Sequence, residues 1–404
     1  MGVLLDLALG VVTSVAGFVE VGSISTAAQA GSEFRFALLW AVALAGVILA
    51  LLAEMSGRVA AVSHRTIAGA VRERFGIHFQ ILPLTAELLL DVLLLSAELG
   101  GAAIAIKLIT GVGFQWWILP LALVAWTVLR TGSFKLIEDG IGLLGLVTLS
   151  FVASAWRVHP DAAQLTSGFI PTIPDHNVVR YSFLAISIVG ATVSPYLLNF
   201  YASGTVEEKL TEDKLWVNRT TAFLGIGFGI VVSMGVLVTA AVVLAPRQIQ
   251  VNSYEQAALM FVPAFGRWAV GLFAAALGIG CFGAAVEIAL NGGYVIAQVL
   301  GWRWGADKSR SSARGFSAAM TAMVVIASAI ALLGFDPLQV TMICVALTVV
   351  IMPAVVLPFL VLMNDPAYVG RHTSGILGNG FLAVVTVAGA VMALIIIPLE
   401  IFGG

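Results

Sequence analysis

The stretch Gly17-Phe18-Val19-Glu20-Val21-Gly22-Ser23-Ile24-Ser25 carries a carboxylate inside an apolar run that begins near Val3. A charge in mid-hydrocarbon costs roughly 2.5–3.5 kcal/mol on insertion scales unless something offsets it. Glycine and serine flank this one on both sides. Glycine weakens a helix locally, and serine hydroxyls can bond to backbone groups that the helix has released. The stretch therefore reads as the break in a discontinuous membrane helix, where unpaired carbonyls and Glu20 face a cavity together.

The rest of the chain agrees with a membrane setting. Of its 404 residues 60% are hydrophobic and only 10% are charged, against about 25% charged in soluble domains. The mean hydropathy is +1.04. These values describe an all-α polytopic membrane protein whose constant partner is the lipid bilayer. The net charge of −2 excludes a nucleic-acid binder, which needs a basic face. Cys281 and Cys344 both lie in apolar runs and read as core residues rather than a disulfide or metal pair. The N-terminus has no basic n-region, so it is not expected to be a cleaved signal, and Asp6 spoils a myristoylation pattern. No cofactor is implied, and a monomer is expected.

Hydropathy marks eleven spans, at roughly 4–28, 36–62, 80–109, 115–131, 137–156, 179–203, 219–245, 263–300, 314–334, 338–363 and 376–402. The connectors carry turn signals at Arg130–Ser133, Gly334–Pro337 and Met363–Pro366. With the N-terminus inside, the cytoplasmic connectors hold most of the basic residues, among them Arg58, Arg65, Arg72, Arg74, Lys209, Lys214, Arg310 and Arg371. That bias predicts a cytoplasmic N-terminus, an external C-terminus and residence in a bacterial plasma membrane.

An internal repeat is visible five spans apart. Span one reads Ser14-x-x-Gly17-x-x-Glu20, and span six reads Ser187-x-x-Gly190-x-x-Val193-Ser194-Pro195. An odd number of spans per repeat inverts the second copy, and matching breaks in two such helices point to a carrier's midplane site. Pro195 removes a backbone donor and frees carbonyls near Ala191 and Thr192. Span three adds Glu87, Asp91 and Glu98, which share one helix face. Glu54, Glu138, Asp139 and Glu287 add further acid, whereas Lys107, Arg130 and Lys135 sit near span ends. Acids thus outnumber bases inside the spans, which favours a pathway for cations or protons. Glu287 and Asn291, four residues apart, could also simply bond to each other. Gly278-x-Gly280-x-x-Gly283 matches a dinucleotide fingerprint but lies within a span, where it reads as helix packing. The five histidines fall in connectors or near span ends, and no catalytic constellation is present.

Gly17 to Trp40 resembles the first span and following turn of the Nramp divalent-metal transporters. Gly190–Pro195 is similar to their sixth span, Ala97–Ala102 to their third, and Asp336–Leu338 with Pro353 and Pro358 to their tenth. The resemblance runs through most of the chain. It implies the LeuT-type fold: one transmembrane domain over 1–404, with inverted five-helix repeats at 1–156 and 179–363 and an additional helix at 376–402. The metal-binding motifs differ. Where the family has Asp-Pro-Gly-Asn, this chain has Glu20-Val21-Gly22-Ser23, and where it has Met-Pro-His, this chain has Ser194-Pro195-Tyr196. The lost thioether argues against a site selected for soft ions. Relatives that lack it are similar to magnesium carriers, and Mg²⁺ dehydrates reluctantly. The family's span-six histidines fall at Tyr196 and Tyr201, and one span-three acid falls at Leu95, which leaves proton coupling rerouted or absent.

The expectation is a secondary carrier for a hard divalent cation, Mg²⁺ or Mn²⁺. Glu20, Ser23 and Ser194 would ligate it, with Tyr196 and the carbonyls near Gly17 and Thr192 completing the site. Glu98, Asp91, Glu87 and Glu138 would line a proton or ion path. Two alternatives stand beside it. One is a carrier of an organic cation or small zwitterion, with Glu20 pairing an ammonium group and Tyr196 or Phe18 offering a ring face. The other is a non-transporting sensor or scaffold.

Overall fold

The computed structural model describes residues 20–174, 177–306 and 313–403, and every regular element among them is helical. The first described helix, α1, is Val21–Phe34, so Gly17 and the start of the first expected span lie outside the described residues. Next come α2 (Leu39–Ser63), α3 (Ile77–Thr110) and α4 (Gln115–Thr131). The fifth span is α5 (Phe134–Gly145), which runs through a 3₁₀ turn at Leu146–Thr148 into Leu149–Arg157. The sixth is split into α6 (Val178–Thr192) and α7 (Pro195–Glu207). The chain continues with α8 (Leu215–Val243), α9 (Ala269–Leu300), α10 (Arg314–Ala331), α11 (Pro337–Leu362) and α12 (Ile376–Gly403). Nine helical stretches among the described residues are long and apolar enough to cross a bilayer. The 17-residue α4 occupies the expected fourth span, and α1 is the described part of the first.

Local chemistry accounts for most boundaries. Gly111, at φ +74°, ends α3 in the left-handed region that glycine enters without strain. Asp336 caps α11 by accepting from Leu338 N–H at 2.8 Å and Gln339 N–H at 3.3 Å, with Pro337 at the first helical position.

The packing is that of a membrane bundle. α3 lies against α9, α11 and α10, while α8 holds α1 and α2. α12 sits at the edge on α11 and α6. Large apolar side chains such as Leu82, Leu89, Trp116, Leu123, Ile376 and Leu394 face outward, as lipid contact requires. Inside, small residues let backbones approach. A Cβ at Gly101 would stand 2.8 Å from Val21 Cγ2 and 2.9 Å from Cys281 Sγ, so this glycine lets α3 touch the start of α1 and the middle of α9 together. That contact sets the depth at which Glu20 is held.

Candidate functional site

The site begins where α1 begins. Glu20 has an extended backbone (φ −92°, ψ 169°), and the helix starts at the next residue. Its carbonyl accepts from Ile24 N–H at 3.1 Å and from Ser23 Oγ at 3.0 Å. Its own side chain makes no cap. The N–H of Val21, which has no partner within its own helix, is satisfied from another one: Glu98 Oε1 of α3 accepts it at 3.0 Å. A carboxylate at a helix N-terminus is favoured both by the unpaired N–H groups and by the helix dipole.

Freed of capping, the Glu20 side chain turns toward the break in the sixth span. Residues Val193 and Ser194 separate α6 from α7. Ser194 is extended (φ −86°, ψ 137°), and Pro195 opens α7 at a position where its missing N–H costs nothing. One residue on, Tyr196 Oη donates to Glu20 Oε2 at 2.8 Å. Both residues are buried, at 0% exposure for Tyr196 and 3% for Glu20.

A small cavity lies beside Glu20, with room for about one water molecule. Glu20 and Ser23 line it from α1, Ala191 and Thr192 from α6, and Ile230 and Ser233 from α8. Thr192 Oγ1 donates to Ile188 O at 2.8 Å, which spends its proton and leaves its lone pairs. Ser23 Oγ donates to Glu20 O. Ser194 Oγ is buried and makes no hydrogen bond among the described residues. The arrangement presents oxygen and one carboxylate to a small volume, which is the donor set that hard cations take.

Of the residues expected from the sequence, Glu20, Ser23, Thr192, Ser194 and Tyr196 gather around the start of α1 and the sixth-span break, and Gly17 lies outside the described residues. Glu98 is beside them, as the cap of α1. Glu87 and Asp91 are elsewhere on α3, bonded to Asn199 and Asn291. The side chain of Glu138 lies outside the described residues.

Two readings of the sequence come out differently. A bond between Asn291 and Glu287, its neighbour one turn earlier, stood as one alternative. Asn291 Nδ2 instead donates to Asp91 Oδ2 at 3.0 Å, because α9 lies along α3. Glu54 was grouped with acids short of basic partners, and Arg58 with the connectors. Arg58 lies within α2 and forms an ion pair with Glu54 one turn away. Ser233 was missed. The sequence shows it only as one hydroxyl between Val232 and Met234 in an apolar helix.

Comparison with known proteins gives the same picture. A divalent metal cation transporter MntH from Deinococcus radiodurans is 24% identical over 285 residues, which are 66% of this chain and 63% of that relative. Among solved structures, the Eremococcus coleocola manganese transporter in complex with an aromatic bis-isothiourea substituted compound superposes with a TM-score of 0.82. Identity there is 17%, over 98% of this chain and 87% of the other. An inward-facing Mhp1 structure matches at a TM-score of 0.56 and 15% identity, over 98% of this chain and 90% of the other. The fold is thus the LeuT type, built around the discontinuous helix of α6 and α7. The family model for Nramp, natural resistance-associated macrophage protein-like, matches residues 10–398, and the chain belongs to that family.

Proposed function

We propose that the chain is a secondary carrier that moves a hard divalent cation, Mg²⁺ or Mn²⁺, across the membrane by alternating access. The observation that carries this reading is the Glu20 carboxylate, buried at the start of α1 opposite the break in the sixth span and beside a small cavity that Ser23, Thr192 and Ser233 share with apolar residues. Family membership supports it, as does the printed description of the bacterial relative as a divalent metal cation transporter. Glu20 supplies charge. Ser23, Ser194 and Thr192 supply neutral oxygens, directly or through water. Tyr196 holds the carboxylate until an ion arrives. The absence of a thioether at Ser194 favours hard ions over soft ones.

Glu98, Asp91 and Glu87 remain candidates for an ion or proton path along α3, and Glu138 stays with them on sequence grounds alone. The basic residues of the connectors support a cytoplasmic N-terminus.

The test is uptake into proteoliposomes. Glu20→Gln keeps the shape and removes the charge. It should abolish Mn²⁺- or Mg²⁺-dependent flux while the protein stays folded. Wild-type flux from that variant would overturn the assignment.

A further inference from the structure

Away from Glu20, the helices α3, α7 and α9 meet at four buried side chains: Glu87, Asp91, Asn199 and Asn291. Asn199 Nδ2 donates to Glu87 Oε1 at 2.7 Å. Asn291 Nδ2 donates to Asp91 Oδ2 at 3.0 Å and reaches Glu87 Oε1 at 3.4 Å. Each of the four is more than nine-tenths buried. Among the described residues, no basic side chain forms an ion pair with either carboxylate. Two acids one turn apart in a low-dielectric interior either take up protons or need compensating positive charge.

Three oxygens of this cluster have no hydrogen-bond partner among the described residues: Asp91 Oδ1, Asn199 Oδ1 and Asn291 Oδ1. Each amide oxygen shares its carbon with the nitrogen that now reaches the carboxylates. A half-turn about the terminal torsion, which is broad and roughly two-fold, brings the oxygen to the nitrogen's place. The cluster would then present four oxygens separated along its edges by the present nitrogen-to-oxygen distances of 2.7, 3.0 and 3.4 Å. Around an octahedral ion held at 2.0–2.1 Å, neighbouring oxygens are about 3 Å apart. The two amide nitrogens therefore stand where two of the ion's oxygen ligands would be.

We propose that Glu87, Asp91, Asn199 and Asn291 form a second station for a hard divalent cation, entered when the two amides turn their oxygens inward. The proposal rests on the reading that this chain carries such a cation, and it names a further place where the ion stops. Two carboxylates neutralise a divalent charge, and two neutral amides complete one side of the shell while water fills the rest. A polar track leads away from the cluster. Ser203 Oγ donates to Asn199 O, Gln298 Nε2 donates to Ser203 Oγ at 3.0 Å, and Thr66 Oγ1 donates to Gln298 Oε1 at 2.8 Å. Thr66 caps the short helix Ile67–Phe75, which joins α2 to α3. The station thus lies between the membrane interior and the connector holding Arg65, Arg72 and Arg74.

The test uses the full-length purified chain and Mn²⁺ alone, with free ion followed by electron paramagnetic resonance. Glu20→Gln should retain one saturable Mn²⁺ site. Adding Asp91→Asn or Asn291→Ala should weaken that remaining site at least tenfold, with melting temperature and gel filtration reporting the fold. If the Asp91→Asn double variant does not fold, Glu20→Gln with Glu87→Gln is read by the same criterion. No Mn²⁺ binding by folded Glu20→Gln, or equal binding by the double variants, would overturn the second station. Unchanged uptake by Glu20→Gln would instead strike the Glu20 reading and leave this site standing.

Discussion

Tyr196 Oη donates to Glu20 Oε2 at 2.8 Å, which ties the residue after the sixth-span break to the residue before α1. A hydrogen bond to a charged group contributes about 1.5–3 kcal/mol, and here it holds the carboxylate away from any incoming ion. An ion that takes both carboxylate oxygens must displace it. Tyr196→Phe should therefore lower the stability of the ion-free protein by roughly 1–3 kcal/mol. It should also raise Mn²⁺ affinity several-fold, because the competing donor is gone. Thermal unfolding and Mn²⁺ titration on the same variant check both halves. If neither quantity moves, the contact does not restrain the carboxylate.

Glu98 was expected along an ion path. Its position shows a second role, as the acceptor for Val21 N–H at the first turn of α1. Glu98→Gln keeps an acceptor oxygen there, and Glu98→Ala removes it. The alanine variant leaves a buried N–H unsatisfied, at a cost of about 1–3 kcal/mol, and should melt well below the glutamine variant. Comparable melting of the two would show that the cap contributes nothing.

Ser194 Oγ makes no hydrogen bond among the described residues although it is buried. Removing a hydroxyl without such a bond leaves no orphan behind, so Ser194→Ala should change stability by less than about 0.5 kcal/mol. If the hydroxyl ligates ion or its water, the same change should weaken Mn²⁺ binding several-fold. Ser194→Met should shift preference toward Cd²⁺, since sulfur suits softer ions. Selectivity equal to wild type would remove Ser194 from the site.

Span boundaries were legible because they rest on short-range chemistry. Gly111, Asp336–Pro337 and Asp365–Pro366 act within one or two residues of themselves, and a sequence records that directly. The sixth-span break was legible for the same reason, through Pro195. The contact of Glu98 with Val21 was not. It joins residues 77 positions apart and depends on how closely α3 and α1 cross, which periodicity does not encode. Asn291 misled for a related reason. Its nearest acid along the helix is Glu287, but packing against α3 offers Asp91 instead. Ser233 enters the cavity only because α8 lies beside α1.

The end of α1 opposite Glu20 carries a latch. Arg180, at the start of α6, donates to Glu33 Oε1 at 2.9 Å and Oε2 at 3.0 Å, and reaches Gln29 Oε1 at 3.3 Å. Neither charged side chain is more than one-fifth exposed. A two-pronged guanidinium–carboxylate pair in such a setting is stronger than a surface pair, and removal of one partner costs on the order of 2 kcal/mol. If the proposed carrier opens its site at this end by parting α1 from α6, this pair has to break first. Arg180→Ala should therefore favour the state open on that side. A cysteine placed at Ser23 would report it, because Cys281 and Cys344 are both buried. Modification of Ser23→Cys by a membrane-impermeant thiol reagent, added from the side where Arg180 lies, should be about tenfold or more faster when Arg180→Ala is present; 1.4 kcal/mol corresponds to a factor of about ten. Equal rates with and without Arg180 would show that the pair decorates this end of the bundle and does not hold it shut.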